Sequence, residues 1–196
     1  FIRFFNHCME LGWIDNNPFK LVKPLKDKPK AERYYFTKEQ IKLIMDNAGK
    51  YYDFYQLLLH TGIRSTDAYK IKSEYFKANI LTFQMNKTDD YLSVPIPKHI
   101  LKLLKPRMCN CQLFPELQSD RQRRKCLMNL QRLFEIEFIR KKNINLHTFR
   151  HTYAHSMLNK GVPKEVLQTL LGHRSIKTTE IYANYISIRE LYKYIQ

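Results

Sequence analysis

The chain has 196 residues, with 34 Lys and Arg against 18 Asp and Glu, so its formal net charge is +16 and its pI is near 9.7. Hydrophobic residues make up 44% of it against only 5 Gly and 8 Pro, which excludes a collagen-like repeat, a low-complexity linker and a disordered tail. No apolar run approaches the roughly 18 residues of a membrane span, and no signal peptide opens the chain. We expect a soluble, cytoplasmic protein with one main domain and an anionic partner.

The basic residues favour nucleic acid as that partner. They are spread along the chain and interleaved with 13 Tyr and 12 Phe, whereas a membrane surface favours one amphipathic helix with a basic face. The cysteines are too few and too unevenly spaced for a disulfide framework: Cys8, Cys109, Cys111 and Cys126. Cys109 and Cys111 lack a second ligand pair at zinc spacing, so we expect reduced thiols and no metal.

The beginning of the chain predicts a short appendage before the main domain. Residues 1–16 have the pattern of the end of an apolar-faced helix, and the prolines and lysines of 20–30 predict a linker. The main domain begins near Tyr34, ahead of a capping box at 37–40. We therefore divide the chain into 1–30 and 31–196, and the first residue, Phe rather than Met, suggests a fragment of a longer polypeptide.

The middle of the chain predicts helices around a β-hairpin. Its elements are, in order, helices over 52–60 and 67–72, strands over 79–85 and 91–96, a helix over 98–105, a loop over 106–115 and a long helix over 120–139. Turn-forming residues between the two strands predict a hairpin with Lys87 at its tip.

Apolar residues recur at helical spacing throughout the last third of the chain. The predicted helices cover 147–159, 163–171, 177–183 and 186–195. No Gly-rich phosphate-binding loop is present, so nucleotide hydrolysis has no support. The fold class is mainly α with a small antiparallel β-sheet (α+β).

One pair of residues at the start of a helix predicts an anion site. His147 and Arg150 are three residues apart, so both project from the first turn, where backbone N–H groups and a guanidinium can bind the same oxygen atoms. Alone, such a pair is weak evidence, because it arises often by chance and most surface Arg side chains are simply solvated.

The pair is part of one of three sequence runs that occur together in this chain. The runs are Leu58-Leu-His-Thr-Gly-Ile-Arg64, His147-Thr-Phe-Arg150, and Leu170-Leu-Gly-His173 followed by Tyr182. With them, residues 31–190 resemble the tyrosine recombinase (phage integrase) family. The resemblance implies the catalytic-domain fold of that family, with 1–30 as the last helix of a DNA-clamping, core-binding domain. The catalytic residues that it implies are Arg64, Lys87, His147, Arg150, His173 and Tyr182. Two positions depart mildly from the family pattern, Asp67 in place of Glu and Asn184 in place of His.

The chemistry of these residue types suits cleavage of a phosphodiester by a covalent route. Tyr182 is the expected nucleophile, and His147 accepts or orients its proton. Arg64 and Arg150 would clamp the non-bridging oxygens, and Lys87 would protonate the leaving 5′-oxygen. His173 would add a hydrogen bond to the phosphate. Neither metal, cofactor nor ATP is expected, because the guanidiniums supply the charge and the phosphotyrosine retains the energy of the broken ester.

Several assignments have plain alternatives. Tyr185 is the nearest rival of Tyr182 as nucleophile, and Lys77 or Lys98 replaces Lys87 if the hairpin register differs. His173 has the alternative of capping the preceding helix. A basic run is expected to contact a DNA groove, although an ordinary solvated helix end is the alternative: Arg121, Arg123, Arg124 and Lys125.

The chain end carries an apolar stripe formed by Ile186, Ile188, Leu191, Tyr192 and Ile195. By resemblance, this tail docks on a neighbouring protomer and builds a homotetramer on double-stranded DNA, with a monomer possible without DNA. The function expected is that of a site-specific DNA recombinase or integrase of a mobile element, acting through a 3′-phosphotyrosyl intermediate. The alternatives are a type IB topoisomerase and a DNA-binding protein without catalysis.

Overall fold

The computed structural model describes residues 1–22, 34–86, 88–109 and 111–172. The chain divides into two compact units, Phe1–Glu32 and Arg33–Gln196. None of the helices within the described ranges has both the length and the apolar character needed to span a bilayer. The helices predicted over 177–183 and 186–195 lie outside the described residues.

The first unit is built on one short helix, α1 (Ile2–Glu10). The helical pattern over 1–16 is thus confirmed only to its tenth residue. The chain then returns along α1, where the Asn17 amide donates to Asn6 Oδ1 at 2.6 Å and the Phe19 ring stacks on Phe5 at 5.2 Å. These contacts close α1 and the returning segment into a small unit.

The second unit contains the remaining described helices: α2 (Lys38–Asp46), α3 (Tyr52–Thr61), α4 (Ser65–Ala68), α5 (Lys98–Leu104), α6 (Asp120–Gln131), α7 (Ile136–Lys142), α8 (His147–Asn159) and α9 (Lys164–Leu171). Short 3₁₀ turns lie at Gly49–Tyr51, Ser73–Tyr75, Lys105–Cys109 and Pro115–Leu117. The predicted capping box begins α2, since Thr37 Oγ1 accepts the Gln40 N–H and Gln40 Oε1 accepts the Thr37 N–H.

A three-stranded antiparallel sheet has the order β1 (Phe76–Lys77), β2 (Ile80–Gln84), β3 (Tyr91–Pro95). In its register Leu81 pairs with Val94 and Phe83 with Leu92, and these four side chains are buried on one face. The hairpin prediction is confirmed. Strand β1 was not predicted, because two residues are too short to show an alternating pattern.

The core is centred on α3, whose Phe54, Tyr55, Leu57 and Leu58 are all but completely buried. The Tyr55 ring stacks on Phe149 of α8 with 5.1 Å between ring centroids. A helix buried on most of its circumference fixes the position of both of its ends. The C-terminal end of α3 is therefore a rigid support for the residues that follow.

The prediction of one long helix over 120–139 is wrong. The chain turns at 132–135 between α6 and α7, where Glu135 is extended with φ −64° and ψ 145°. The turn lets Phe134 stack on both Phe36 and Phe138, with centroid distances of 5.9 and 5.8 Å. Burial of these rings against the core outweighs the backbone hydrogen bonds that a continuous helix would have gained.

Candidate active site

A left-handed glycine places Arg64 at the junction of α3 and α4. Gly62 ends α3 with φ +65°, and a Cβ there would collide with the Tyr153 ring and lie 2.9 Å from Leu171 Cδ2. Only glycine accepts both this conformation and this close approach. The chain then leaves α3 directly into α4, with Arg64 as the extended N-cap residue.

The Arg64 side chain lies between a sulfur and a carboxylate. It is 17% exposed, with Nη1 3.4 Å from Met85 Sδ and 3.9 Å from Asp67 Oδ2. The Asp67 side chain is itself only 1% exposed. Asp67 Oδ2 is within ion-pair distance of Arg64, so this buried carboxylate helps to orient the guanidinium.

Arg150 joins the ends of two helices. Arg150 is 3% exposed. Its Nη1 donates to Gly62 O at 3.0 Å, and its Nη2 donates to Leu171 O at 2.7 Å. The two bonds fix the plane of the guanidinium and hold the C-terminal end of α9 against that of α3. Arg150 of α8 therefore contacts the carbonyl oxygen of Gly62, two residues before Arg64.

His147 is the first residue of α8 and is exposed. Its backbone N–H donates to Asn145 Oδ1 at 2.7 Å, while the Asn145 N–H donates to Thr148 Oγ1 at 3.1 Å. These two bonds satisfy backbone donors at the helix start and fix the first turn. The His147 ring meets the His151 ring edge to face, with centroids 4.7 Å apart.

Met85 connects the hairpin to two of these segments. Besides its contact with Arg64, its sulfur would lie 2.7 Å from a Cβ built on Gly172, the left-handed residue that ends α9 with φ +60°. The Leu92 side chain would lie 3.1 Å from the same Cβ. Glycine is therefore required where the end of α9 meets the hairpin.

Lys87, His173 and Tyr182 lie outside the described residues, as do Asn184, Tyr185 and the apolar stripe at the chain end. The structure brings together chain segments that neighbour two of them in sequence: Met85–Asn86 precedes Lys87, and Leu171–Gly172 precedes His173. These segments meet the Gly62–Arg64 junction and the first turn of α8.

Two residues of this arrangement were not predicted, Met85 and Asn86. The sequence marks Asn86 only as a turn former, and Met85 has no distinguishing signal. Chemically, the fork of a guanidinium matches the oxygens of a phosphodiester, and Arg64 is 17% exposed, whereas the Arg150 guanidinium donates to two backbone carbonyls. Within the described ranges, no group of three His, Cys, Asp or Glu side chains is placed to hold a metal ion.

The predicted basic run on α6 divides into two kinds of residue. Arg123 is engaged within the protein: its Nε donates to Leu117 O and its Nη2 to Gln118 O, each at 2.9 Å, and its guanidinium lies 4.7 Å from the Tyr69 ring centroid. The other members are exposed: Arg121, Arg124 and Lys125. Arg123 thus closes the loop before α6, a role that charge spacing alone does not distinguish.

Comparison with known proteins identifies the family of this chain. Residues 34–186 match the family model described as the phage integrase family. A tyrosine recombinase of Pseudothermotoga lettingae is 26% identical over 191 residues, 93% of this chain and 67% of that protein. The integrase of Escherichia phage P2 is 31% identical over 177 residues, 88% of this chain and 49% of its own length.

The fold is also similar to that of solved structures. In the crystal structure of a lambda integrase dimer bound to a COC′ core site, the matching chain has a TM-score of 0.66 and 18% identity. The match covers 93% of this chain and 56% of that one. This chain thus spans between about half and two thirds of the length of the proteins compared here.

Proposed function

Because this chain belongs to the phage integrase family, we propose that it is a site-specific tyrosine recombinase that cleaves and rejoins DNA strands. The observation that carries the proposal is the buried Arg150, which ties the end of α9 to the residues just before Arg64. This contact gathers three distant sequence runs at one place, as a site that clamps one phosphate requires.

The reaction that these residues would perform is a transesterification. The Tyr182 oxygen attacks phosphorus, the bond from phosphorus to the 5′-oxygen breaks, and a 3′-phosphotyrosine forms. His147 orients or accepts the phenol proton, and Lys87 delivers a proton to the departing 5′-oxygen. Attack by another 5′-hydroxyl reverses these changes on a new strand.

The phosphate would be held by guanidiniums. Arg64 and Arg150 bind its non-bridging oxygens and stabilise the charge that develops on them, while His173 donates a further hydrogen bond. The step needs no ATP, because the tyrosyl ester retains the energy of the broken ester. It also needs no metal ion, because the two cations provide the electrostatic stabilisation.

The partner in this proposal is double-stranded DNA, contacted along α6 by exposed basic residues: Arg121, Arg124 and Lys125. We place Arg123 outside this contact, because its guanidinium is bonded within the domain. Residues 186–195 would dock on a neighbouring protomer to build a homotetramer on DNA, from a chain that can be a monomer without DNA. The unit 1–30 would be the last helix of a DNA-clamping domain, and the reaction would take place in the cytoplasm.

Covalent capture of DNA tests this proposal without knowledge of the target sequence. The full chain is incubated with a pool of nicked duplexes that carry a randomised core, and the DNA in denaturant-resistant adducts is sequenced. We expect adducts enriched in one core sequence. Tyr182→Phe should form none while retaining DNA affinity, and the matched control Tyr185→Phe should form them normally.

Other outcomes separate the alternatives. Adducts without sequence enrichment, together with relaxation of any supercoiled plasmid, would identify a topoisomerase. A chain that binds the pool and forms no adduct would be a DNA-binding protein without catalysis. Loss of adducts in Tyr185→Phe alone would move the nucleophile to that residue.

A further inference from the structure

Asn86, the residue before Lys87, is bonded to the start of α4. Its backbone N–H donates to Asp67 Oδ1 at 3.0 Å and its Nδ2 donates to the same oxygen at 2.9 Å. The same Nδ2 also donates to Thr66 O at 3.0 Å, and Asn86 Oδ1 accepts a hydrogen bond from Lys70 Nζ. A turn residue at the hairpin tip is thus held by two residues of α4, Thr66 and Asp67, and by Lys70 just beyond its end.

Asp67 makes this anchor part of the candidate site. One of its carboxylate oxygens accepts both Asn86 bonds, while the other lies 3.9 Å from Arg64 Nη1. The side chain is 1% exposed, so loss of a partner leaves a buried acceptor unsatisfied. Through this carboxylate, the turn before Lys87 and the Arg64 guanidinium share one support.

We propose that Asn86 is a positioning residue for the leaving-group step, resting on the proposed function: by bonding to Asp67, it fixes the turn from which Lys87 protonates the 5′-oxygen. The role differs from that of a general scaffold residue. A scaffold residue supports every step, whereas of the two Asp67 oxygens Asn86 bonds only to the one that does not face Arg64, so its loss should affect proton delivery more than phosphate binding.

A substrate with sulfur in place of the bridging 5′-oxygen separates these two roles. A thiol has a pKa of about 8.5, far below the pKa of an alcohol, so sulfur leaves without a proton. A variant that has lost only proton delivery regains its rate on this substrate. A variant that has lost the phosphate clamp does not.

The experiment measures single-turnover adduct formation by the full chain on the captured core sequence, with oxygen or sulfur at the scissile position. We expect Asn86→Ala to slow cleavage of the oxygen substrate about 10- to 100-fold, part of the 10²–10⁴ typical of acid catalysis, and to lose most of that deficit with sulfur. Lys87→Ala should show the same recovery with a larger deficit. Arg64→Ala should be slow on both substrates.

Asn47→Ala is the matched control. Asn47 is an exposed Asn at the end of α2, and it donates one hydrogen bond to Leu43 O, so its loss should leave both rates unchanged. In parallel, hydrogen exchange of the Met85 and Asp89 amides, which bond across the turn, should accelerate in Asn86→Ala and not in the control.

The proposal is overturned if Asn86→Ala cleaves the oxygen substrate at the wild-type rate, or if it is equally slow on both substrates. Unchanged exchange of the turn amides would also contradict it. Failure of the proposed function looks different, since the wild-type chain would then form no adduct with either substrate.

Discussion

At the scale of single residues, Gly62 has the most constrained backbone position near the candidate site. Gly62→Ala adds a methyl group against the Tyr153 ring and Leu171 in a left-handed conformation. Left-handed strain of about 1–2 kcal/mol and overpacking of about 1–3 kcal/mol predict a loss of about 2–5 kcal/mol in the free energy of unfolding.

Gly161→Ala is the matched control, because Gly161 has φ +79° with nothing within 4 Å of the added Cβ. It should lose only the backbone part, about 1–2 kcal/mol, in the same urea denaturation measurement. Equal losses in the two variants would show that the close approach of Tyr153 to Gly62 does not exist in solution.

A second residue-scale prediction concerns His60 of α3. Burial lowers its pKa to about 4, with the neighbouring His99 and Lys160 adding to the effect. The unfolded chain, where this pKa is about 6.5, therefore binds more protons between pH 4 and 6.5, and stability is lost as pH falls through that window. We expect His60→Gln to reduce the loss of unfolding free energy between pH 7.5 and 5 by about 1–2 kcal/mol.

If His60→Gln keeps the wild-type dependence of unfolding free energy on pH, the His60 imidazole is not buried in the way the structure describes.

At the scale of elements, α6 offers a test of which basic side chains face DNA. Arg123→Ala removes bonds to two carbonyls and the contact with Tyr69, so it should lower the free energy of unfolding by about 1–3 kcal/mol. Arg121→Ala should leave stability within about 0.5 kcal/mol, because its side chain is exposed.

The effects of the two substitutions on DNA affinity should be in the opposite order to their effects on stability. Arg121→Ala should weaken binding to a duplex and reduce the slope of log K against log salt by about 1, as the loss of one phosphate contact predicts. Arg123→Ala should leave that slope unchanged. Titration of a fluorescent duplex at several salt concentrations measures both, and the reverse pattern would remove Arg121 from the proposed interface.

Elements with local signals were predictable from sequence. Caps and left-handed glycines mark α2, α3, α8 and α9, and alternation with a turn marks the hairpin. The break between α6 and α7 was not predictable, because it depends on stacking of Phe134 against Phe36, nearly a hundred residues away. Tertiary packing decided that boundary, and no local pattern encodes it.

At the scale of the whole molecule, the convergence of the candidate site was predictable only in part. The motif runs predicted Arg64 and Arg150 as members of one site, and the structure places the segments that carry them in contact. Met85 became apparent only from the fold, and Asp67, which the sequence marks only as a departure from the family pattern, is shown by the fold to be a buried support beside Arg64. Support residues are selected by three-dimensional fit, which sequence spacing does not report.

The central claim is that a phenolic oxygen of this chain takes up a DNA phosphate beside two guanidiniums. Its most direct test is to digest the captured adduct with protease and nuclease and to locate the remaining phosphonucleotide by mass spectrometry. We expect one modified peptide, with the modification on Tyr182. A modification on any other residue, or an adduct that survives in Tyr182→Phe, would contradict it.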